Sequence, residues 1–542
     1  MKGSIWKTFE EIAERFSTRT ALIYQGTEFS YGELKALSER LAGAMHQMGV
    51  GRGDRVIIYM SHCPQWVITW FAVQRLGAVV VPVTHFYGSH DLNYITADSG
   101  AQVAFCTDAN YANVAEIAEE RGLRYIVVTT TSEMLPAWKG ALDAKVAEAQ
   151  QKPLSAGDKV KSYRDLLKGA AEPPAYTAVA PTDLAEILYT SGTTGLPKGV
   201  PLSHDVFLQA AEVQRGGSLP LIPVGKDVVL QGSPLYHVLG QNIGLGALLA
   251  GDTLVLLPSM SIDTVLQAID RYRVTTLFGT PTFFRMILEH QDIDRYDLSS
   301  LTWCFTGGDY LAPALIERWR NKVGTYIYQG LGATEASGGI TQTPAKEETP
   351  EGSVGKVLPI WKVKLIDPDT METVGPPGQG ELLISSDCMV RSYWNKPEET
   401  AERFLNLEGR LWYRTGDIMR IDENGWAYFL DRSGDIIKHK GYRVVPSKVE
   451  RVLTEHPAVS AACAIGLPDP DVGEKIKALV VLSKEGPGAQ PEELLAWCKE
   501  RLASYEVPHW IEFRDTLPTS PSGKILRRKV RSEERAKLGL TG

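Results

Sequence analysis

No stretch of this 542-residue sequence is continuously apolar over the roughly 18 residues that a bilayer span requires, so an integral membrane segment is not expected. There is no excess of basic charge. Lys and Arg total 57 against 65 Asp and Glu, a formal net charge of -8, which argues against a nucleic-acid-binding protein. Cysteine is scarce: Cys63, Cys106, Cys304, Cys388, Cys463 and Cys498 are scattered and form no Cys-x-x-Cys pair. That pattern excludes a zinc ribbon and fits reduced thiols in a cytoplasmic protein. The first sixteen residues read as a short amphipathic helix carrying Glu10, Glu11 and Glu14, not as a secretory signal. No repeat of solenoid length is present. What is there, 44% hydrophobic and 23% charged residues, describes a globular chain long enough for about three to four folding units.

Strand-like and helix-like runs alternate through the first half. Ser30 and Glu33 form a capping-box pattern, Leu34, Leu37, Leu41, Met45 and Met48 follow at helical spacing, and Gly49 stands where a C-terminal glycine belongs. Residues 55–60, 78–83 and 103–106 are short apolar runs of the buried-strand kind. This alternation predicts an α/β body of sheets covered by helices. Residues 132–174 are polar and read as a surface excursion. From Gly375 onward the texture is β-rich, with strands expected at 381–384 and 426–430. Beyond Asp431 a small α+β unit is expected, with strands at 461–465 and 478–482 and a helix at 491–502. The domain boundary is accordingly drawn between 1–431 and 432–542.

The strongest local signal is Tyr-Thr-Ser-Gly-Thr-Thr-Gly-Leu-Pro-Lys-Gly at 189–199, directly after a strand-like run. Its glycines let backbone approach an anion, its hydroxyls donate to phosphate oxygens, and Lys198 adds a compact positive charge. It is not a Walker loop, because Pro197 precedes the lysine and Gly199 follows it. A flexible surface turn is the competing explanation.

The order Thr-Ser-Gly-Thr-Thr-Gly-x-Pro-Lys-Gly resembles the signature of the adenylate-forming superfamily: acyl-CoA synthetases, adenylation domains of peptide synthetases and beetle luciferases. Further blocks resemble that family in sequence order: 234–237, 306–308, 332–335, 393–398, 413–417, Asp431-Arg432, 438–441 and Gly523-Lys524. The resemblance thus covers nearly the whole chain. It implies ATP, Mg2+ and coenzyme A as co-substrates, and a two-step reaction. A carboxylate attacks the α-phosphate to give acyl-AMP and pyrophosphate, and CoA then displaces AMP. It also implies a large ATP- and acid-binding domain with a mobile C-terminal lid.

Carried over residue by residue, the resemblance assigns ATP and AMP contacts to Thr190, Ser191, Gly192, Thr193, Thr194, Gly195, Lys198, Asp309, Gln329, Gly330, Thr334, Asp417 and Arg432. Glu335 becomes the magnesium ligand, in keeping with the preference of Mg2+ for few carboxylates and retained waters. Asp417 would accept from both ribose hydroxyls. Lys524, a single cation between two anions, would serve adenylation; Lys438 and His237 join it as catalytic candidates. Lys440 and Gly441 would line the CoA arm, with Gly434 as the hinge. The acid pocket is expected from Tyr236, His237, Val238, Gly240, Asn242, Ile243, Gly307, Gly308 and Gly332. Bland alternatives stand beside these: a capping pair for Thr334 and Glu335, a turn aspartate for Asp417, a surface ion pair for Asp431 and Arg432, a solvated basic tail for Lys524.

Amino-acid-activating relatives carry aspartate at the place of His237, so α-amino acids are disfavoured. Acetate-activating relatives carry tryptophan at the place of Gly332. Glycine there is expected to leave the pocket open for an acid larger than acetate or propionate, whether fatty, aromatic or alicyclic. Leu331 replaces an aromatic that often stacks on adenine, Asp309 a common alanine, and Gly434 a usual Asp or Lys. The implied function is an AMP-forming acyl-CoA synthetase. Rivals are a ligase loading a carrier protein, a luciferase-like oxidase and a catalytically inactive small-molecule sensor. The sequence does not fix the oligomeric state, a homodimer being one arrangement it allows.

Overall fold

The protein is described by a computed structural model at residues 3–135, 159–169, 172–176, 178–190, 196–308, 311–368, 370–432, 435–439, 442–469, 472–483, 487–519 and 525–539. Its chain forms two compact units, 1–361 with 385–413, and 362–384 with 414–542.

The first unit is built on two sheets. One has seven strands among the described residues. Arg55–Tyr59, Val79–Pro82, Val103–Thr107, Tyr125–Thr129 and Val160–Ser162 run parallel, and the hairpin Leu184–Thr190 and Lys198–Ser203 closes one edge. The other has nine, with Val228–Leu230, Thr253–Leu256, Thr276–Gly279, Trp303–Gly307 and Ile327–Ala333 parallel at its centre. Side chains in a strand alternate between faces, and this alternation builds the layers. Val56, Ile58 and Val80 join Leu22, Leu254 and Leu256 in one core with helices Ile5–Arg15, Tyr31–Gln47, Pro64–Arg75 and Val238–Leu249. Their neighbours Ile57, Tyr59 and Val81 point the other way, onto helices Ser89–Ser99 and Tyr111–Ala118. On the far face of the nine-stranded sheet, Leu230, Val255 and Leu277 pack on helices Ile262–Tyr272, Pro281–Leu288 and Pro313–Val323. The result is five alternating layers, helix–sheet–helix–sheet–helix. Helix Pro64–Arg75 lies within the shared central layer, which is why all twelve of its residues are buried.

The expected local signals form as read. Ser30 and Glu33 make both bonds of the capping box, and Gly49 takes a positive φ of 77°. The 132–174 excursion needs correcting. Residues 136–158 lie outside the described residues, but Val160–Ser162 is an edge strand, and Tyr163, at the start of helix Tyr163–Lys168, is fully buried. Residues 160–168 thus form an edge strand and a short helix, and Tyr163 joins the central core.

The second unit contributes strands Lys362–Ile366, Thr373–Gly375 and Ala427–Arg432, and a five-stranded sheet centred on the long antiparallel pair Val459–Asp469 and Gly473–Leu482. Ala462, Ala464, Ala478 and Val480 face helices Pro446–Thr454 and Pro491–Arg501; Cys463, Ile465 and Leu479 face the side of Val530 in helix Arg527–Lys537. The α/β body, the β-rich segment and the α+β C-terminal part are those expected. No helix among the described residues is long and apolar enough to cross a membrane.

Candidate active site

In the first unit the candidate residues gather at strand ends. Thr190 ends one strand of the edge hairpin, Lys198 opens the other, and the two face each other in register. Ser191, Gly192, Thr193, Thr194 and Gly195 lie between them in the chain, outside the described residues. A loop flanked by antiparallel strands, not by strand and helix, accounts physically for its departure from the Walker pattern. A Cβ on Gly199 would lie 2.9 Å from Ile187 and 3.0 Å from Trp394, so this glycine is required by packing.

The second group lies beyond the carboxyl ends of two adjacent parallel strands, the usual ligand position in open α/β sheets. Gly307 pairs with Gly330, and Thr306 with Gln329. Gly308 follows with φ 86°, while Asp309 is outside the described residues. Thr334 and Glu335 occupy the turn after Ile327–Ala333, closed by the Ser337 amide donating to the Thr334 carbonyl at 2.8 Å. Tyr393 joins the two groups. Its hydroxyl donates to Glu335 Oε1 at 2.7 Å, and the Lys198 ammonium lies 5.3 Å from its ring centre. Strand ends from different sheets therefore bring a phosphate-type cation and a lone carboxylate to one place.

The acid-pocket candidates divide. Tyr236 is half-buried, and His237 is exposed within a recess crowded enough that desolvation lowers its imidazole pKa. His237 caps helix Val238–Leu249, its Nδ1 accepting from the Leu239 amide at 3.4 Å. Both the positive helix end and the desolvation favour the neutral ring. Val238, Asn242 and Ile243 are buried, and Asn242 Nδ2 donates to the Ser337 carbonyl at 2.6 Å, tying this helix to the Glu335 turn. Gly240 and Gly332 answer to backbone contacts: a Cβ would come within 2.1 Å of the Pro234 carbonyl oxygen at 240, and within 2.5 Å of the Gly338 carbonyl oxygen at 332.

In the second unit Asp417 and Arg432 face each other across an antiparallel pair, Arg432 Nε 2.8 Å from Asp417 Oδ1. The carboxylate is almost fully buried and its geometry is set by that guanidinium, which also donates to the Thr415 carbonyl. Lys438 is exposed on strand Ile437–His439, which pairs with Tyr442–Val444. Gly434, Lys440, Gly441 and Lys524 lie outside the described residues. The flanks of Lys524 are held together by a Thr519–Ile525 bridge and by the Leu526 amide donating to the Pro518 carbonyl.

Sequence reasoning missed three contributors. Tyr393 lay in a quoted block without a role. Asp98, at the end of Ser89–Ser99, accepts from the Tyr189 hydroxyl at 2.6 Å and from the Trp394 and Asn395 side chains through its carbonyl. His62 accepts the Leu235 amide at 3.1 Å, and burial lowers its pKa to about 4. Nothing local in the sequence marks an aspartate or histidine whose partners lie more than ninety positions away.

Among the described residues no group of three or more His, Cys, Asp or Glu could hold a metal. A single half-buried carboxylate with one oxygen engaged by Tyr393 suits a magnesium ion that arrives on ATP, since Mg2+ takes its other ligands from phosphates and water.

Comparison with known proteins accords with this arrangement. The AMP-binding enzyme family matches residues 9–394, and the AMP-binding enzyme C-terminal domain matches 448–524. The long-chain-fatty-acid–CoA ligase of Escherichia coli O6:H1 is 32% identical, with 99% of this chain and 95% of that protein covered. The feruloyl-CoA synthase of an Amycolatopsis species is 34% identical over 94% of this chain and 95% of its own. An anthranilate CoA ligase solved with anthranoyl-AMP superposes with a TM-score of 0.85 at 26% identity, covering 99% of this chain and 98% of that one. The chain belongs to the AMP-binding enzyme family of adenylate-forming proteins. Within that family it stands in the acyl-CoA synthetase branch: it is an AMP-forming acid–CoA ligase.

Proposed function

We propose that the enzyme activates an acid larger than propionate, a long-chain fatty acid first and an aromatic acid second, as its MgATP-dependent acyl-adenylate and passes it to CoA. The observation that carries the chemistry is the meeting of Lys198 and Glu335 around Tyr393. Attack of one anion on another needs fixed charge at the developing negative centre and an in-line geometry. Thr190, Lys198 and Thr334 supply donors to the phosphates, and Glu335 one ligand to their magnesium. Asp417, braced by Arg432, accepts the ribose hydroxyls. Lys524 serves adenylation, Lys438, Lys440 and Gly441 serve the CoA step, and Gly434 is the pivot of a functional division at 431/432. His237, held neutral, suits an uncharged acyl chain better than an ammonium. The size of the acid is supported by what the relatives act on: long-chain fatty acids, ferulate and anthranilate. Cytoplasmic residence is part of this proposal, supported by six cysteines without a disulfide among the described residues.

The test is a panel of acids from acetate to palmitate, with ferulate, benzoate and anthranilate, scored by CoA-dependent AMP release. A preference for acetate overturns the size claim. AMP release that needs a carrier protein in place of CoA overturns the acceptor.

A further inference from the structure

Glu335 must offer an oxygen to a cation while Lys198, of opposite charge, works on the same phosphates. Two such groups brought together from strand ends of different sheets tend to pair with each other, which would occupy both. The structure places one phenol in contact with both. Tyr393 is 6% exposed, and its backbone amide donates to the Thr400 hydroxyl at 3.0 Å. Its ring meets Phe404 edge-on at 5.6 Å. The next amide, of Trp394, donates to the Gly199 carbonyl at 2.8 Å, so the chain is fastened one residue from Lys198. The phenol is therefore fixed from three sides, and its position is not set by Glu335.

Its chemistry is fixed as well. A carboxylate only accepts hydrogen bonds, so at 2.7 Å the Tyr393 phenol is the donor to Glu335 Oε1. One carboxylate oxygen is thus engaged by the phenol. The Lys198 ammonium rests against the π-face of the ring, an attraction that needs no carboxylate.

We propose that Tyr393 is a positioning residue of the nucleotide site: its hydroxyl orients Glu335 toward the metal of MgATP, and its ring keeps Lys198 from pairing with Glu335. This rests on Glu335 being the metal ligand. It goes beyond that assignment by separating two functions in one side chain, and two substitutions resolve them. Tyr393→Phe keeps the ring and removes the donor. Tyr393→Leu removes both.

The experiment is calorimetric titration of ATP into the full-length enzyme in EDTA and in saturating Mg2+, with the thermal midpoint of each variant recorded. A hydrogen bond to a charged group is worth a factor of about ten, or ~1.4 kcal/mol. Tyr393→Phe is expected to bind metal-free ATP like the wild type and to lose about tenfold of the tightening that Mg2+ produces. Tyr393→Leu is expected to lose that tightening and also to bind metal-free ATP several-fold more weakly, because Lys198 then pairs with Glu335. Wild-type behaviour of Tyr393→Phe in both buffers overturns the proposal. So does equal weakening in EDTA and Mg2+, which is the mark of a merely structural role. Glu335→Gln is the control for the underlying assignment: if it keeps the full Mg2+ effect, Glu335 is not the metal ligand, whatever Tyr393 does.

Discussion

Replacing Gly332 by alanine would put a Cβ 2.5 Å from the carbonyl oxygen of Gly338, and 3.0 Å from its carbon. Ordinary contact begins near 3.4 Å, so the paired strand must retreat by about 0.9 Å. The obstacle is backbone: Gly332 lies opposite Gly339 at an irregularity in the pairing of Ile327–Ala333 with Gly338–Gln342. No rotamer change relieves it. Overpacking of this kind costs ~1–3 kcal/mol. The shift is delivered two and three residues from Thr334 and Glu335, where a displacement of about 1 Å can cost on the order of 10²-fold in rate. Gly332→Ala is therefore expected to depress ATP–pyrophosphate exchange by a common factor, tens to a hundredfold, for every acid in a C2 to C16 series, with the preferred length unchanged. The same holds more strongly for Gly332→Trp. A variant that folds, loses its long acids and gains acetate would refute this and restore pocket size as the sole reason for the glycine.

Lys524→Ala should abolish acyl-adenylate formation while supplied acyl-AMP still reacts with CoA; equal loss in both assays removes the assignment of Lys524 to the first step. His204 is fully buried, its Nδ1 accepting the Ile5 amide, and burial lowers its pKa to about 4. The unfolded chain binds the proton more readily, so the stabilisation is complete above pH ~6.5 and falls as pH drops toward 4, by roughly 3 kcal/mol. His204→Gln should flatten that slope in urea unfolding at pH 7, 6 and 5, and an unchanged slope counts against the account. Arg527 pairs with Asp431 at 2.9 Å, Asp435 at 3.1 Å and Glu450 at 2.7 Å. Arg527→Met leaves three acidic groups without it and should destabilise by ~3–5 kcal/mol, seen as an early calorimetric transition.

The fold was legible wherever short-range rules govern it. The capping box at Ser30 and Glu33, the apolar strands at 55–60, 78–83 and 103–106 and the α+β texture after Asp431 all follow from periodicity and local hydrogen bonding. Residues 159–169 were not legible, because a single buried tyrosine in polar surroundings carries no periodic signal. At the site, blocks such as 190–199 and 332–335 were visible as motifs, because glycine, hydroxyl and charge stand close together in the chain. Tyr393 stood in such a block and still gave no hint of its role.

The sequence by itself determined the chemistry on offer: which groups can meet a nucleotide and a carboxylate, in which order along the chain, and in what class of fold. The tertiary structure alone decided which of those groups touch. It set the Tyr393 hydroxyl on Glu335, the Asn242 amide on the Ser337 carbonyl, and Asp98 beneath Tyr189 and Trp394, partners separated by 58, 95, 91 and 296 positions. It also put the Gly338 carbonyl oxygen within 2.5 Å of where a Cβ on Gly332 would lie. Whether a missing Cβ leaves room for a substrate or for a neighbouring carbonyl depends on the register of a strand pair, and register is fixed by the packing of whole faces, not by the residue.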